Sequence, residues 1–497
     1  MKVKMMVLVA LLLQLSFAQT TVGLKDVYSS KFKFGNILNS STVNNSAMKQ
    51  IVLREFNSIT PENELKPDAT IVASGSTNTN VKVQLNNGAK SILQFCQDNN
   101  IPVRGHTLVW HSQTPNWFFR ENFNSSGAIV SKAVMDQRME SYIKNMFELI
   151  TTSYPKLNLY AYDVVNEAAS ESGSPRTAGS DAGNGQSMWV QVYGDNSFIE
   201  KAFTFARKYA PKTTKLFYND YNEYITAKRN YIANSIVKPL KEKGLIDGMG
   251  MQSHLDVRTG TPYPSASDYG AAITTYKNLG VEIHVTELDA TVQDGNESYF
   301  PAQATYYRDI MNQILTKGGS AITAVVVWGI QDDQSWRKAR KPVLFDASGN
   351  KKAAYNELVK LIPESEWNKP GPSSSSIATP SSSSTTPSSS SAVPSSSSKP
   401  SSSSIAAPSS SSLASSSSVV PSSSSSIPSS SSNGTTPIVS NIPLTHFSND
   451  VVEIFDLKGN KVASTNVSNL QTVKLSLSSG LYFAKARGMQ SVKFVVK

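Results

Sequence analysis

The chain has 497 residues, of which 39% are hydrophobic and 17% charged, and a formal net charge of +10. An ordinary globular chain does not spend a long unbroken stretch on serine and proline, so the core occupies only part of this one. Lysines and arginines are spread along the sequence rather than gathered into a stripe interleaved with aromatics, which argues against nucleic acid as a partner.

The N-terminus opens with Met1-Lys2-Val3-Lys4, continues through the apolar run MMVLVALLLQLSF, and reaches small residues at Ser16 and Ala18. Residues 1–18 read as a secretory signal peptide. That run is too short to span a bilayer comfortably, and no later run reaches the roughly 18 apolar residues of a spanning helix, so no transmembrane anchor is expected. The mature protein is expected to be secreted, extracellular or associated with the cell surface, and monomeric. Cys96 is the only cysteine, so no intramolecular disulfide forms even in an oxidising compartment. Its setting in SILQFCQ reads as a buried core thiol.

From residue 19 to 366, short apolar segments recur with helical patterns between them. The expected strands are KFGNIL (33–38), FNSIT (56–60), IPVRGHT (101–107), LYAYDVVNE (159–167), KLFYND (215–220), GMGMQSH (248–254), VEIHVTE (281–287) and ITAVVVWG (322–329). Stretches such as VMDQRMESYIKNMFELITTSY and NSFIEKAFTFARKYA carry apolar residues at i, i+3, i+4 and i+7, the spacing of amphipathic helices. Such alternation implies the α/β class and a closed (β/α)8 TIM barrel, with an open doubly wound sheet as the weaker alternative. Most of these strands are apolar early and end in or near Asn, Glu, His, Asp or Trp. In a barrel those ends meet at one face, where catalytic groups belong.

Residues 367–437 are dominated by Ser, Pro, Thr and Ala, with PSSSS repeated many times. Such a segment buries too little apolar surface to offset its ordering entropy, and reads as a disordered linker. Residues 438–497 alternate in VVEIFDLKGNKVAS, TVKLSLSSGLYFAKA and SVKFVVK, with turns at Asp456 to Gly459 and at Ser479-Gly480. A small all-β sandwich is expected there. Its order of strand, Gly turn, Gly-Leu-Tyr and basic terminal strand resembles the C-terminal sorting domains of type IX secretion substrates, which implies the secretion machinery as a partner. The rival is a carbohydrate-binding module. Against it, the segment's large aromatics are Phe447, Phe455, Tyr482, Phe483 and Phe494, with no Trp, and most fall within expected strands.

Two segments carry chemistry: DVVNEA with Asn166-Glu167, and HVTELD with Glu287 and Asp289. The glutamates end the fourth and seventh expected strands and can face each other across a barrel mouth. Glycoside hydrolysis needs such a pair, one acid to protonate the departing oxygen and one carboxylate to attack the anomeric carbon. Taken singly, each glutamate reads as well as a buried salt-bridge partner or a helix-capping acid. No HExxH or two-His-one-carboxylate spacing occurs, so neither metal nor other cofactor is expected.

Over about residues 24 to 362 the chain resembles the endo-β-1,4-xylanases of glycoside hydrolase family 10. The resemblance lies in FGNILN, FNSITPENELKPD, RGHTLVWHSQTPNWFF, DVVNEA, FYNDYN, GMQSH, HVTELD and VVVWGIQDDQSW, in the family's order. It implies Glu167 as the acid/base and Glu287 as the nucleophile, with Glu167 protonated and Glu287 ionised at rest. It also implies His254 and Asp289 around the nucleophile, and Asn166 on the sugar 2-hydroxyl. The implied substrate is xylan or xylo-oligosaccharide, held by Glu62, Asn63, Lys66, His106, Trp110, Gln252, Trp328 and Trp336. Trp328 and Trp336 are expected as stacking platforms, and for Trp110 and Trp117 core packing is the lesser alternative. Asn219 and Tyr221 lie beside the site without an assigned role. Leu65 and Pro67 depart from residues common in the family. A glucan-cutting relative would use the same glutamates, and a non-catalytic xylan-binding protein is the reading from another class.

Overall fold

The computed structural model describes residues 22–368 and, near the C-terminus, 451–456, 460–466, 480–486 and 492–496. The signal peptide expected at 1–18 and nearly all of the linker expected at 367–437 lie outside the described residues. The chain divides into two units, Met1–Ser373 and Ser374–Lys497.

In the first unit eight strands run in chain order: β1 (Lys33–Leu38), β2 (Ser58–Pro61), β3 (Val103–Trp110), β4 (Leu159–Asn166), β5 (Lys215–Asp220), β6 (Gly248–Met251), β7 (Glu282–Val292) and β8 (Ile322–Val327). Each pairs in parallel with the next, and β8 pairs with β1. The sheet is therefore a closed barrel, and the open alternative falls. β8 shows why these segments become strands: ITAVVV is rich in β-branched residues, and Val325 and Val327 are buried with the helices' apolar faces. The helix Lys132–Ser153 starts where the Ser131 side chain accepts the Val134 N–H, and it buries Met135, Met139, Tyr142, Met146 and Ile150 on one stripe. Cys96 is buried within the helix Asn87–Asp98. Among the described residues no helix is long and apolar enough to cross a membrane.

The C-terminal ends of three strands differ from expectation by three or more residues. β3 continues to Trp110 and β7 to Val292, while β6 stops at Met251. After β6 the chain passes through Ser253 at φ 63°, a left-handed conformation that breaks strand geometry. It then forms an outer strand, His254–Arg258, parallel to the far end of β7, and a short return, Thr261–Tyr263. A hairpin of Ile71–Thr77 and Asn80–Val83 was also not expected.

In the second unit, Lys461–Asn466, Val451–Phe455, Gly480–Ala486 and Val492–Val496 lie in that order in one antiparallel sheet. The all-β character agrees with expectation. A second layer, which a sandwich requires, is not found among the described residues.

Candidate active site

Three of the strands that bring polar groups to the barrel mouth are irregular near their C-terminal ends. Register shifts fall between His106 and Val109 in β3, between Asp163 and Val165 in β4, and between Val285 and Leu288 in β7. A bulge lets neighbouring residues escape strict alternation. Thr286 and Glu287 accordingly both reach Asn219, through Oγ1 at 2.6 Å and Oε1 at 2.8 Å. Gly250 makes room there, since a Cβ would stand 2.4 Å from Asn219 Oδ1. Glu167, just past β4, adopts φ 55° while its N–H donates to the Asn219 carbonyl at 2.8 Å. A left-handed non-glycine residue is strained, and such strain persists where the surroundings over-determine it.

The two glutamates are tied into one hydrogen-bonded chain. Gln252 Nε2 donates to Glu167 Oε1 at 2.9 Å and to Asn166 Oδ1 at 3.2 Å. Asn219 Nδ2 donates to Asn166 Oδ1 at 2.9 Å and to Glu287 Oε1 at 2.8 Å. Trp110 Nε1 reaches Glu167 Oε2 at 2.9 Å. Arg176 stands 3.9 Å from the same oxygen and donates through Nε to the Glu167 carbonyl.

Electrostatics differ on the two sides. Burial pushes the Glu167 carboxyl up, but His111, Arg176 and the donors Gln252 and Trp110 outweigh it and hold the pKa at about 2. His111 is itself pushed down to about 4 by burial and by Arg176. It is thus neutral near pH 7, which leaves Arg176 as the working cation beside Glu167. The expectation that Glu167 rests protonated therefore does not hold in the free protein. On the other side, His254 spans two carboxylates, Nδ1 to Asp289 at 3.0 Å and Nε2 to Glu287 at 3.2 Å. Carboxylates only accept, so both ring nitrogens donate and the ring is an imidazolium. Burial opposes that charge, yet Asp289 and Glu287 raise the pKa to about 10. Arg337 closes the cluster at 2.7 Å from Asp289 Oδ1.

The remaining expected residues line the same mouth. Lys66 Nζ donates to Asn63 and Gln113 at 2.9 and 3.0 Å and lies 4.9 Å from the centre of the Trp110 ring. Burial pushes the Lys66 ammonium down, against the pull of Glu287, Glu62 and Glu167. Glu62 is buried, accepts from Asn39 at 2.8 Å, and has its carboxyl raised, chiefly by that burial. His106 Nδ1 donates to Asp163, which a fully buried Arg104 clamps from behind with contacts of 2.6 and 3.1 Å. The two tryptophans expected as platforms part company. Trp336 is 60% exposed, but Trp328 is only 4% exposed, packed edge-on against His106. Trp328 is floor rather than open stacking surface, because its position just past β8 tucks it beneath the rim. Trp117 packs against the core beside Phe123. Among the described residues no cluster of three or more His, Cys, Asp or Glu could hold a metal ion.

Residues 23–361 match glycosyl hydrolase family 10 over more than half of the chain. The chain belongs to glycosyl hydrolase family 10. It is 54% identical over 358 residues to endo-1,4-beta-xylanase Y of Acetivibrio thermocellus, covering 69% of this chain and 32% of that protein. It is 44% identical over 349 residues to the bifunctional endo-1,4-beta-xylanase XylA of Ruminococcus flavefaciens, covering 69% of this chain and 34% of that protein. The chain thus spans about a third of the length of these curated relatives. Among solved structures it resembles the CBM22-1–GH10 modules of a Clostridium thermocellum endo-1,4-beta-D-xylanase complexed with xylohexaose, with a TM-score of 0.67 and 51% identity over 70% of each chain. An intracellular xylanase from Thermoanaerobacterium saccharolyticum aligns with a TM-score of 0.60 and 32% identity over 68% of this chain and 98% of that one.

Within this family 10 site, sequence reasoning missed Gln113, Arg176, Thr286, Arg337, Arg104 and Asp163. One signal was available: Arg104 is a charge inside an otherwise apolar strand, and such a residue needs a buried partner. Arg337 and Arg176 lie in loops, and nothing in their local sequence marks their contacts.

Proposed function

We propose that this family 10 chain hydrolyses internal β-1,4-xylosidic bonds of xylan with retention of configuration. The observation carrying the reading is the continuous hydrogen-bonded chain from Glu167 through Asn166 and Asn219 to Glu287. It sets two carboxylates in different surroundings at one open mouth. Glu287, with an oxygen on Asn219 and an oxygen on the His254 imidazolium, attacks the anomeric carbon. Glu167 gives its proton to the departing oxygen, then takes one from the water that hydrolyses the glycosyl-enzyme. Asn166 bonds the 2-hydroxyl, and Glu62, Asn63, Lys66, His106 and Gln252 bind the neutral sugar with Trp110 and Trp336 alongside. The likeness to xylanases favours xylose over glucose as the repeating unit.

Glu167 must gain its proton on binding. A glycosidic oxygen only accepts hydrogen bonds, so its arrival favours the protonated carboxyl, and two neighbouring carboxylates resist joint ionisation. Arg176 opposes that gain. Removing its charge in Arg176→Met raises the Glu167 pKa, so the alkaline limb of kcat moves up by roughly one pH unit. A kcat profile that stays put or shifts down contradicts this assignment. For the substrate, new reducing ends and viscosity are followed on glucuronoxylan, carboxymethylcellulose and mixed-linkage glucan. An early fall in xylan viscosity supports internal cleavage, and cleavage of glucan alone would replace the substrate.

The reading includes export: residues 1–18 act as the leader, and the C-terminal sheet acts as a sorting module for the secretion machinery beyond the linker. Deleting residues 438–497 is then expected to keep the enzyme inside the cell envelope. Unchanged release of the truncated chain would rule the sorting role out.

A further inference from the structure

Glu167 holds a left-handed backbone that a non-glycine residue does not adopt unaided, and the two peptide units after it show what holds it there. The Ala168 and Ala169 N–H groups both donate to one oxygen, the Tyr218 hydroxyl, at 3.0 and 3.1 Å. Tyr218 donates in turn to Asp220 Oδ2 at 2.5 Å. A hydroxyl has one proton to give and two lone pairs to offer, so this one is fully used. Burial, and then the Asp220 charge, push the Tyr218 pKa far up, so the hydroxyl keeps the proton it donates. Tyr218 and Asp220 lie two apart on β5 and share a face, opposite the one from which Asn219 reaches Glu287. One face of β5 thus serves the nucleophile, and the other serves the backbone beside the acid. Asp220 is itself fixed from behind. Its Oδ1 accepts from Lys228 Nζ and from the Tyr221 N–H, each at 2.9 Å, and its Oδ2 also takes the Ala169 N–H at 3.4 Å. Lys228, on the helix Thr226–Tyr231, is wholly buried, stands 3.7 Å from the centre of the Tyr221 ring, and reaches Glu171 in the loop after β4 at 2.9 Å.

We propose that Tyr218 is a positioning residue for the acid/base: its hydroxyl, oriented by Asp220 and Lys228, locks the left-handed turn at Glu167 and so fixes where that carboxyl meets the departing oxygen. The inference rests on the proposed role of Glu167. The lock acts on the main chain just past Glu167, while Gln252 and Trp110 hold the carboxyl itself. Without the hydroxyl, the Ala168 N–H loses its acceptor and Ala169 keeps only the long contact to Asp220, so the turn relaxes. A residue that merely packed the core would affect every substrate alike. A lock on the acid is felt only where the leaving group needs a proton.

The test uses the full chain as wild type, Tyr218→Phe, Asp220→Asn and Glu167→Ala, on xylohexaose and on an aryl xylobioside with a nitrophenolate leaving group. For a double displacement, kcat/KM reports only the steps up to the glycosyl-enzyme. In Tyr218→Phe, kcat/KM on xylohexaose is expected to fall about tenfold while that on the aryl substrate stays within about twofold. Asp220→Asn keeps the hydroxyl but spoils its use. The amide oxygen stays with Lys228 and the Tyr221 N–H, so the NH2 group turns to Tyr218 and takes a lone pair that the two N–H groups need. The same split between substrates is expected, and this variant carries the test if Tyr218→Phe does not fold. Equal losses on both substrates, or no loss on xylohexaose, overturn the lock. When Glu167→Ala still shows the split, that outcome leaves the acid/base reading standing. Equal losses in Glu167→Ala itself overturn that reading, and the lock with it.

Discussion

Glu167→Ala is expected to lower kcat on xylan by about 10²- to 10⁴-fold, the share a positioned general acid supplies. The substitution leaves Glu287 with both of its partners, Asn219 and His254, so the nucleophile stays in place. An aryl xylobioside with a nitrophenolate leaving group needs little protonation at departure. On that substrate the first step therefore survives far better, and the slow step becomes hydrolysis of the glycosyl-enzyme, for which Glu167 would have served as base. A burst of nitrophenolate followed by a slow steady state is the expected trace. Added azide should accelerate the slow phase, because a small anion needs no base and fills the space the carboxylate leaves. Equal losses on xylan and on the aryl substrate, with no burst, would remove Glu167 from the acid/base role.

Glu287→Ala removes the covalent step and is expected to cost at least about 10⁴-fold on both substrates, since groups acting as a unit lose most of their effect when one is deleted. A better leaving group gives no rescue here, which separates the two glutamates kinetically. The folded state should survive. His254 keeps Asp289 as a counter-ion at 3.0 Å, and Arg337 holds Asp289 from the other side at 2.7 Å. A thermal unfolding curve close to wild type, alongside lost activity, is the expected pairing. A variant keeping a tenth or so of wild-type kcat would leave the covalent route without its nucleophile.

The barrel was legible in the sequence because each strand carries its own signature. KFGNIL and KLFYND were bounded as the structure bounds them. The candidate pair Glu167 and Glu287 stood out in the sequence because polar residues at strand ends have few other reasons to recur. The surroundings were not. Bulges in β3, β4 and β7 depend on which strand lies alongside, and a single segment does not encode its neighbour. They extend β3 to Trp110 and let Thr286 and Glu287 share Asn219, a residue noted beside the site without a role. Trp328 and Trp336 look alike as residues in a run, and only the packed loop decides that one is floor and the other open. The resting charge of Glu167 is set by Arg176 and by the donors Gln252 and Trp110, which come from a loop and from two other parts of the barrel.

The most direct test of the account is the anomeric configuration of the first product. Xylohexaose is hydrolysed by the full chain and the anomeric protons are followed by NMR before mutarotation blurs them. Double displacement through Glu287 predicts that internal bonds are cut and that the new reducing end appears first as the β anomer. The α anomer appearing first would mean direct attack by water and a different use of the two carboxylates. An intact xylohexaose would contradict the assigned substrate.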